Sequence, residues 1–228
     1  MSEIHSDIVE EALRVAGEAE RQGLILRLLG GVAVRLRAGG ALRPVFQREY
    51  ADLDWITPRG ISARARRFFE SLGYVPQVRF NVIHGRERLL FFDERNDRQL
   101  DVLVGAFRMC HEIPFRERLA LEPLTIPLAE LLLTKLQIVQ LNEKDVLDAL
   151  ALLHDHSVQE TDGNSINGGR IAALCAADWG LWRTFTANLD VLDKHLERYA
   201  LPADDKRRIG DRIRKLRERV EREPKALA

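Results

Sequence analysis

Cysteine is almost missing from this chain: Cys110 and Cys175 are the only two, far apart and in no paired spacing. That pattern excludes a disulfide framework and a zinc knuckle. Long apolar runs are missing too, because charges interrupt every one before it reaches membrane-spanning length. The first residues, Met1-Ser2-Glu3-Ile4-His5-Ser6-Asp7, lack the basic patch and apolar stretch of a secretory signal. The expectation is a cytoplasmic protein with no membrane partner. Net charge is the third absence. Lys plus Arg and Asp plus Glu both number 35, so no global basic field advertises nucleic acid, and an RNA contact would have to be local. No lysine precedes Lys135, but a coding bias explains the arginine excess as well as any function does.

What is present is an ordinary globular composition. Hydrophobic content of 46% and charged content of 31% over 228 residues suit one large domain or two small ones. Helical spacing covers residues 7–22, with acidic residues in the first turns, and Gly23 ends that segment. A β-like run, Leu24 to Leu29, leads through Gly30-Gly31 into a short helix over 32–37. A loop with Gly39-Gly40, Arg43, Pro44 and Arg48 precedes the strand Tyr50 to Ile56. An amphipathic, Arg-rich helix over 61–72 follows, capped by Gly73. Residues 75–107 read as strands: 78–83 and 88–92 flank the hairpin signal His84-Gly85-Arg86-Glu87, and 99–104 follows. Beyond Pro114 the chain is nearly all helical, with helices over 128–141, 144–153, 168–177, 179–198 and 203–222. The fold class is therefore α+β, with strands and helices first and a nearly all-helical stretch beyond Pro114.

The chemistry concentrates in a few places. In Asp52-Leu53-Asp54-Trp55 two carboxylates alternate with large apolar residues, so Asp52 and Asp54 share one face of a strand, roughly 7 Å apart. Either this is a polar edge strand, or a shared cation keeps both ionised; oxygen-only ligands suit Mg²⁺ or Mn²⁺. Gly30-Gly31, between a strand and a helix, is either a tight turn or a place where free backbone N–H groups meet phosphate. Asp101 interrupts an apolar strand and needs a partner or a cation if that strand is central. Lys135 lies among leucines and must either extend to water or meet an anion; Asp145 and Asp148, three apart on the next helix, could supply one. His154 and His156 lack zinc spacing and read as surface residues. The last helix, with Lys206-Arg207-Arg208, reads as solvated or facing a partner, with an RNA-binding face as the alternative.

Taken in order, Leu29-Gly30-Gly31-Val32-Ala33, Asp52-Leu53-Asp54, Leu100-Asp101-Val102, and Lys135 followed by Lys144-Asp145-x-x-Asp148, the chain resembles the polymerase-β-type nucleotidyltransferases. Within them it looks most like the small bacterial members that include abortive-infection toxins and, more distantly, antibiotic nucleotidyltransferases. The resemblance covers residues 24–107 and extends more loosely over 128–153. It implies a mixed β-sheet nucleotidyltransferase core with helices packed on it over 1–122, in which Asp52, Asp54 and Asp101 hold Mg²⁺ (or Mn²⁺) and carry the catalysis, followed by an all-helical C-terminal domain over 123–228. It further implies a nucleotide site of Gly30, Gly31, Arg48, Lys135, Lys144 and Asp148. The implied reaction moves a nucleoside monophosphate from a nucleoside triphosphate to a hydroxyl of an RNA, such as tRNA, or of a small molecule, releasing pyrophosphate. An antitoxin protein is an implied partner. A catalytically silent module of the same fold, binding nucleotide or a protein, is the alternative. This chain departs from the common Gly-Ser of the group at Gly30-Gly31 and carries an extra Gly- and Pro-containing loop before Asp52.

Overall fold

The structure, a computed structural model, describes residues 4–38 and 43–225. The Gly39-Gly40 loop lies outside the described residues. The fold is α+β, with a five-stranded mixed sheet and a helical C-terminal region. The chain forms two compact units: Met1–Leu36, Glu49–Phe107 and Pro114–Ile126 make the first, and Arg37–Arg48, Arg108–Ile113 and Pro127–Ala228 the second. Among the described residues no helix is long and apolar enough to cross a membrane.

In the first unit, Ile8–Arg21 (α1) starts where the Asp7 side chain accepts hydrogen bonds from the N–H groups of Val9 and Glu10. Arg27–Leu29 (β1) follows, then Gly30–Arg37 (α2), whose last residue belongs to the second unit. Next come Asp52–Thr57 (β2), Ser62–Ser71 (α3), Val75–Pro76 (β3), Val78–His84 (α4), Arg88–Asp93 (β4) and Arg98–Val104 (β5). The sheet order is β1-β2-β5-β4-β3, with β2 and β5 parallel at the centre and antiparallel partners outside. One face of the sheet is closed. Leu53, Trp55, Leu100, Val102, Leu89 and Phe91 are buried there, and Phe69 of α3 packs on Phe91 with ring centroids 5.0 Å apart. Glu11 is fully buried at the edge of this core, where it accepts from Arg14, Tyr74 and the His5 N–H. Burial pushes its pKa up, and these bonds more than reverse that, so it lies below the ordinary carboxylate value.

One segment differs from its sequence reading. Residues 78–83, expected as a hairpin strand, form helix α4. The reason lies in Asn81: its amide donates to the Leu90 carbonyl at 2.9 Å and its side-chain oxygen accepts from the Leu90 N–H at 2.7 Å. Past the end of β3, which pairs Pro76 with Phe91, that side chain supplies at Leu90 the two bonds a continuing strand would have given. Alternation of apolar residues, here Val78, Phe80 and Val82, then carries no strand signal, and Val78, Val82 and Ile83 are exposed.

After the short strands Ala106–Arg108 (β6) and Glu112–Pro114 (β7), the second unit is built around Leu128–Leu136 (α5), in which all nine residues are buried. A helix apolar nearly all round belongs in a core. Glu143–Asp155 (α6), Gly168–Ala177 (α7), Trp179–Leu196 (α8) and Ala203–Arg222 (α9) complete the unit, with Val158–Gln159 (β8) and Ile166–Asn167 (β9) paired in parallel. Helix α5 is shorter than the expected 128–141. The Asn188 amide donates to the Leu136 and Ile138 carbonyls at 2.8 and 2.7 Å and so satisfies the end of the helix early.

His154 and His156 are buried rather than on the surface. Helix α6 runs on through His154, whose ring meets Asp155 at 2.5 Å and Asp205 at 3.4 Å. His156 lies between two backbone carbonyls, Arg37 O at 2.9 Å and Asn164 O at 3.3 Å. Burial pushes its pKa below the ordinary 6.5, and the carbonyls offset this only in part. The unfolded chain therefore takes up this proton first on acidification. Its contribution to stability is present above about pH 6.5 and is lost as pH falls toward the lower folded value. Urea unfolding is expected to show a smaller loss of stability between pH 7.5 and 5.5 for His156→Gln than for the parent; equal losses would contradict this.

Candidate functional site

Register brings the sequence-predicted carboxylates of the first unit together. Leu29 of β1 stands opposite Asp54, Asp54 opposite Asp101, and Asp101 opposite Leu90. Because β2 and β5 are parallel neighbours, Asp54 and Asp101 lie on the same face at about one strand spacing, roughly 4.8 Å. This is the sheet's less covered face, since Asp54 is half-buried and Asp52 exposed. Asp52 lies at the start of β2, two residues before Asp54 on the same face and opposite Gln99.

Helix α2 begins at the end of this row. Gly30, directly after Leu29, has φ +72°. A Cβ built there would fall inside the envelope of Asp54 Oδ2 and 3.0 Å from its Cγ. The backbone turn and the carboxylate thus touch, and only glycine allows it. Gly31 follows in the first turn, half-buried. Gly30→Ala is expected to cost about 1–2 kcal/mol from the left-handed backbone alone and to push Asp54 out of its row. A thermal-unfolding midpoint equal to that of the parent would show that the turn tolerates a side chain.

Asp101 lies in the central strand β5 at 7% exposure and has the partner its position demands. Arg88 grips it with both arms, Nε on Oδ1 at 2.5 Å and Nη2 on Oδ2. The hydrogen bond to Asp101 raises the Arg88 pKa; burial lowers it, and the charges of Asp101 and Asp54 raise it further. The guanidinium also lies 5.8 Å from the centroid of the Phe80 ring, which packs on His84 at 4.6 Å. The sequence reading missed Arg88, although its signal was there. Counting back from the turn that pairs Asp93 with Arg98 puts Leu90 opposite Asp101, and Arg88 is the next residue on that face.

A divalent cation fits this donor set in part. Hard carboxylate oxygens suit Mg²⁺ or Mn²⁺, and Mg²⁺ asks for only one or two protein carboxylates beside water and phosphate. Asp54 and Asp101 supply two in register. As they stand, no three His, Cys, Asp or Glu side chains form a metal-holding group among the described residues. The Asp101 oxygens face the Arg88 guanidinium instead.

The remaining expected residues divide. In the second unit, Lys135 is buried, with Nζ 2.9 Å from Asp148 Oδ2 and 3.3 Å from Asp145 Oδ1. Arg48 holds the same Asp148 through Nε at 3.0 Å and Nη2 at 2.8 Å. Two cations and two carboxylates thus close on one another. Burial pulls the Lys135 pKa down, and Asp148 and Asp145 more than offset it, so it lies above its ordinary value. Its ammonium meets anions rather than extending to water. Lys144 is exposed. No family model matches this chain, and no curated protein matches it.

Proposed function

We propose that the chain is a divalent-metal-dependent nucleotidyltransferase of the polymerase-β type. It would move a nucleoside monophosphate from a nucleoside triphosphate to a hydroxyl of an RNA or a small molecule and release pyrophosphate. The observation that carries this reading is the packing of Asp54 against Gly30, which ties the strand carboxylate to the glycine turn opening α2. In this reading Asp52 and Asp54 hold the cation, and Asp101 completes the set once its oxygens are released. Bound there, the cation would neutralise triphosphate charge and lower the pKa of the attacking hydroxyl. Gly30 lets backbone approach phosphate without a Cβ in the way. Asp101 can accept the hydroxyl proton, and rate enhancement comes mainly from positioning and charge neutralisation. Of the residues expected to bind phosphate, Arg48, Lys135 and Asp148 already satisfy one another within the second unit.

A second reading has its own observation. The guanidinium on Asp101 is what a catalytically silent module would show, since it already neutralises that carboxylate. Incubation with each labelled nucleoside triphosphate, Mg²⁺ and a panel of tRNA, aminoglycosides and the chain itself separates the two. Mg²⁺-dependent label on any acceptor supports the enzyme. Nucleotide binding without transfer to any of them supports the silent module.

A further inference from the structure

We infer that Arg88 is a displaceable counter-ion of the carboxylate row, its guanidinium and a divalent cation competing for the same two oxygens of Asp101. This deepens the metal-dependent reading above and rests on it.

Three observations converge. First, the grip is two-pronged: Nε and Nη2 each take one lone pair of an Asp101 oxygen, so a cation reaching that carboxylate from the open face meets the positive charge of the guanidinium on both oxygens. Second, the pair is lopsided in burial. Two other Arg–carboxylate pairs of this unit are closed on both sides, with side-chain exposures of 4% and 1% for Arg98–Asp93 and 8% and 0% for Arg14–Glu11. In Arg88–Asp101 the carboxylate is at 9% but the arginine at 46%. A buried anion held by a solvent-facing cation is an arrangement in which the cation can leave without dragging the core with it. Third, a second carboxylate stands beside the first, because Asp54 is the register partner of Asp101. A doubly charged ion can take oxygens from both. Arg88 keeps a resting place in either state, since the Phe80 face is within cation–π range.

Chemically, Arg88 then sets the threshold of the site. A bare cation meets the repulsion of the guanidinium at Asp101. A cation arriving with a triphosphate brings anionic oxygens that the released guanidinium can take up. The device thus favours the metal–nucleotide complex over the metal alone.

Mn²⁺ alone is the probe, with free ion followed by electron paramagnetic resonance on the full chain and thermal unfolding recorded beside it. Arg88→Gln is expected to tighten Mn²⁺ about tenfold relative to the parent. Its midpoint should start lower, because Asp101 has lost its cation, and rise more steeply with Mn²⁺. Arg88→Lys, which keeps the charge but not the two-oxygen grip, is expected to fall between and serves if the glutamine variant does not fold. Asp54→Asn should abolish binding in either background. If the parent binds Mn²⁺ through Asp54 but Arg88→Gln and Arg88→Lys bind it no more tightly, Arg88 is not a competitor and this inference alone falls. If no variant binds Mn²⁺ in an Asp54-dependent way, the metal reading falls and takes this inference with it.

Discussion

Asp54→Asn is expected to lower nucleotidyl transfer by about 10³-fold or more while the chain keeps a cooperative melting transition. Asparagine keeps the shape of the side chain and so keeps its contact with Gly30, the tightest steric feature of the row. What it removes is one negative charge from a pair of register neighbours, Asp54 and Asp101. The same charge is what a divalent cation would need. A catalytic loss with an intact fold therefore separates chemistry from structure at this position, and the transfer assay with a parallel melting curve measures both. Transfer at the parental rate would remove the carboxylate row from the mechanism.

The second large effect is on stability. Lys135→Met is expected to cost about 3–5 kcal/mol, read by urea unfolding, because it strands the buried carboxylate of Asp145. Asp148 would keep Arg48, at 2.8 Å, while Asp145 would lose the ammonium 3.3 Å away. Adding Asp145→Asn to the methionine variant should return part of the loss, since the stranded charge goes with it; such non-additivity is the signature of a closed network. A cost below about 1 kcal/mol would mean the group is solvated, as surface pairs are. The consequence for function is practical. Loss of nucleotide binding in a Lys135 variant can be assigned to phosphate contact only if the variant is shown to be folded.

How much of this could be read from the residues differs from element to element. The alternation in Asp52-Leu53-Asp54-Trp55 fixes which side chains share a face, because the strand period is two, and the structure puts Leu53 and Trp55 in the core and Asp52 and Asp54 on the more open side. The central place of Asp101 could be stated only conditionally, since which strands neighbour β5 depends on pairing across the chain. Lys135 with Asp145 and Asp148 was legible from spacing on two adjacent helices. Arg48 was not, because it reaches Asp148 from 100 residues away. Helix α4 escaped because one asparagine side chain does the work of a strand, and local apolar patterning has no means of registering that. His154 and His156 were misplaced for a related reason: polarity marks them as surface, and only tertiary partners such as Asp205 and the Arg37 carbonyl make their burial tolerable.

The central claim is that the Asp54–Asp101 row, beside the Gly30 turn, is a metal–nucleotide site. Calorimetric titration of the full chain with a non-hydrolysable nucleoside triphosphate, with and without Mg²⁺, tests it most directly when repeated on Asp54→Asn. The expected result is saturable binding that requires Mg²⁺ in the parent and is absent in the variant. Binding that is indifferent to Mg²⁺, or that survives in Asp54→Asn, would contradict it.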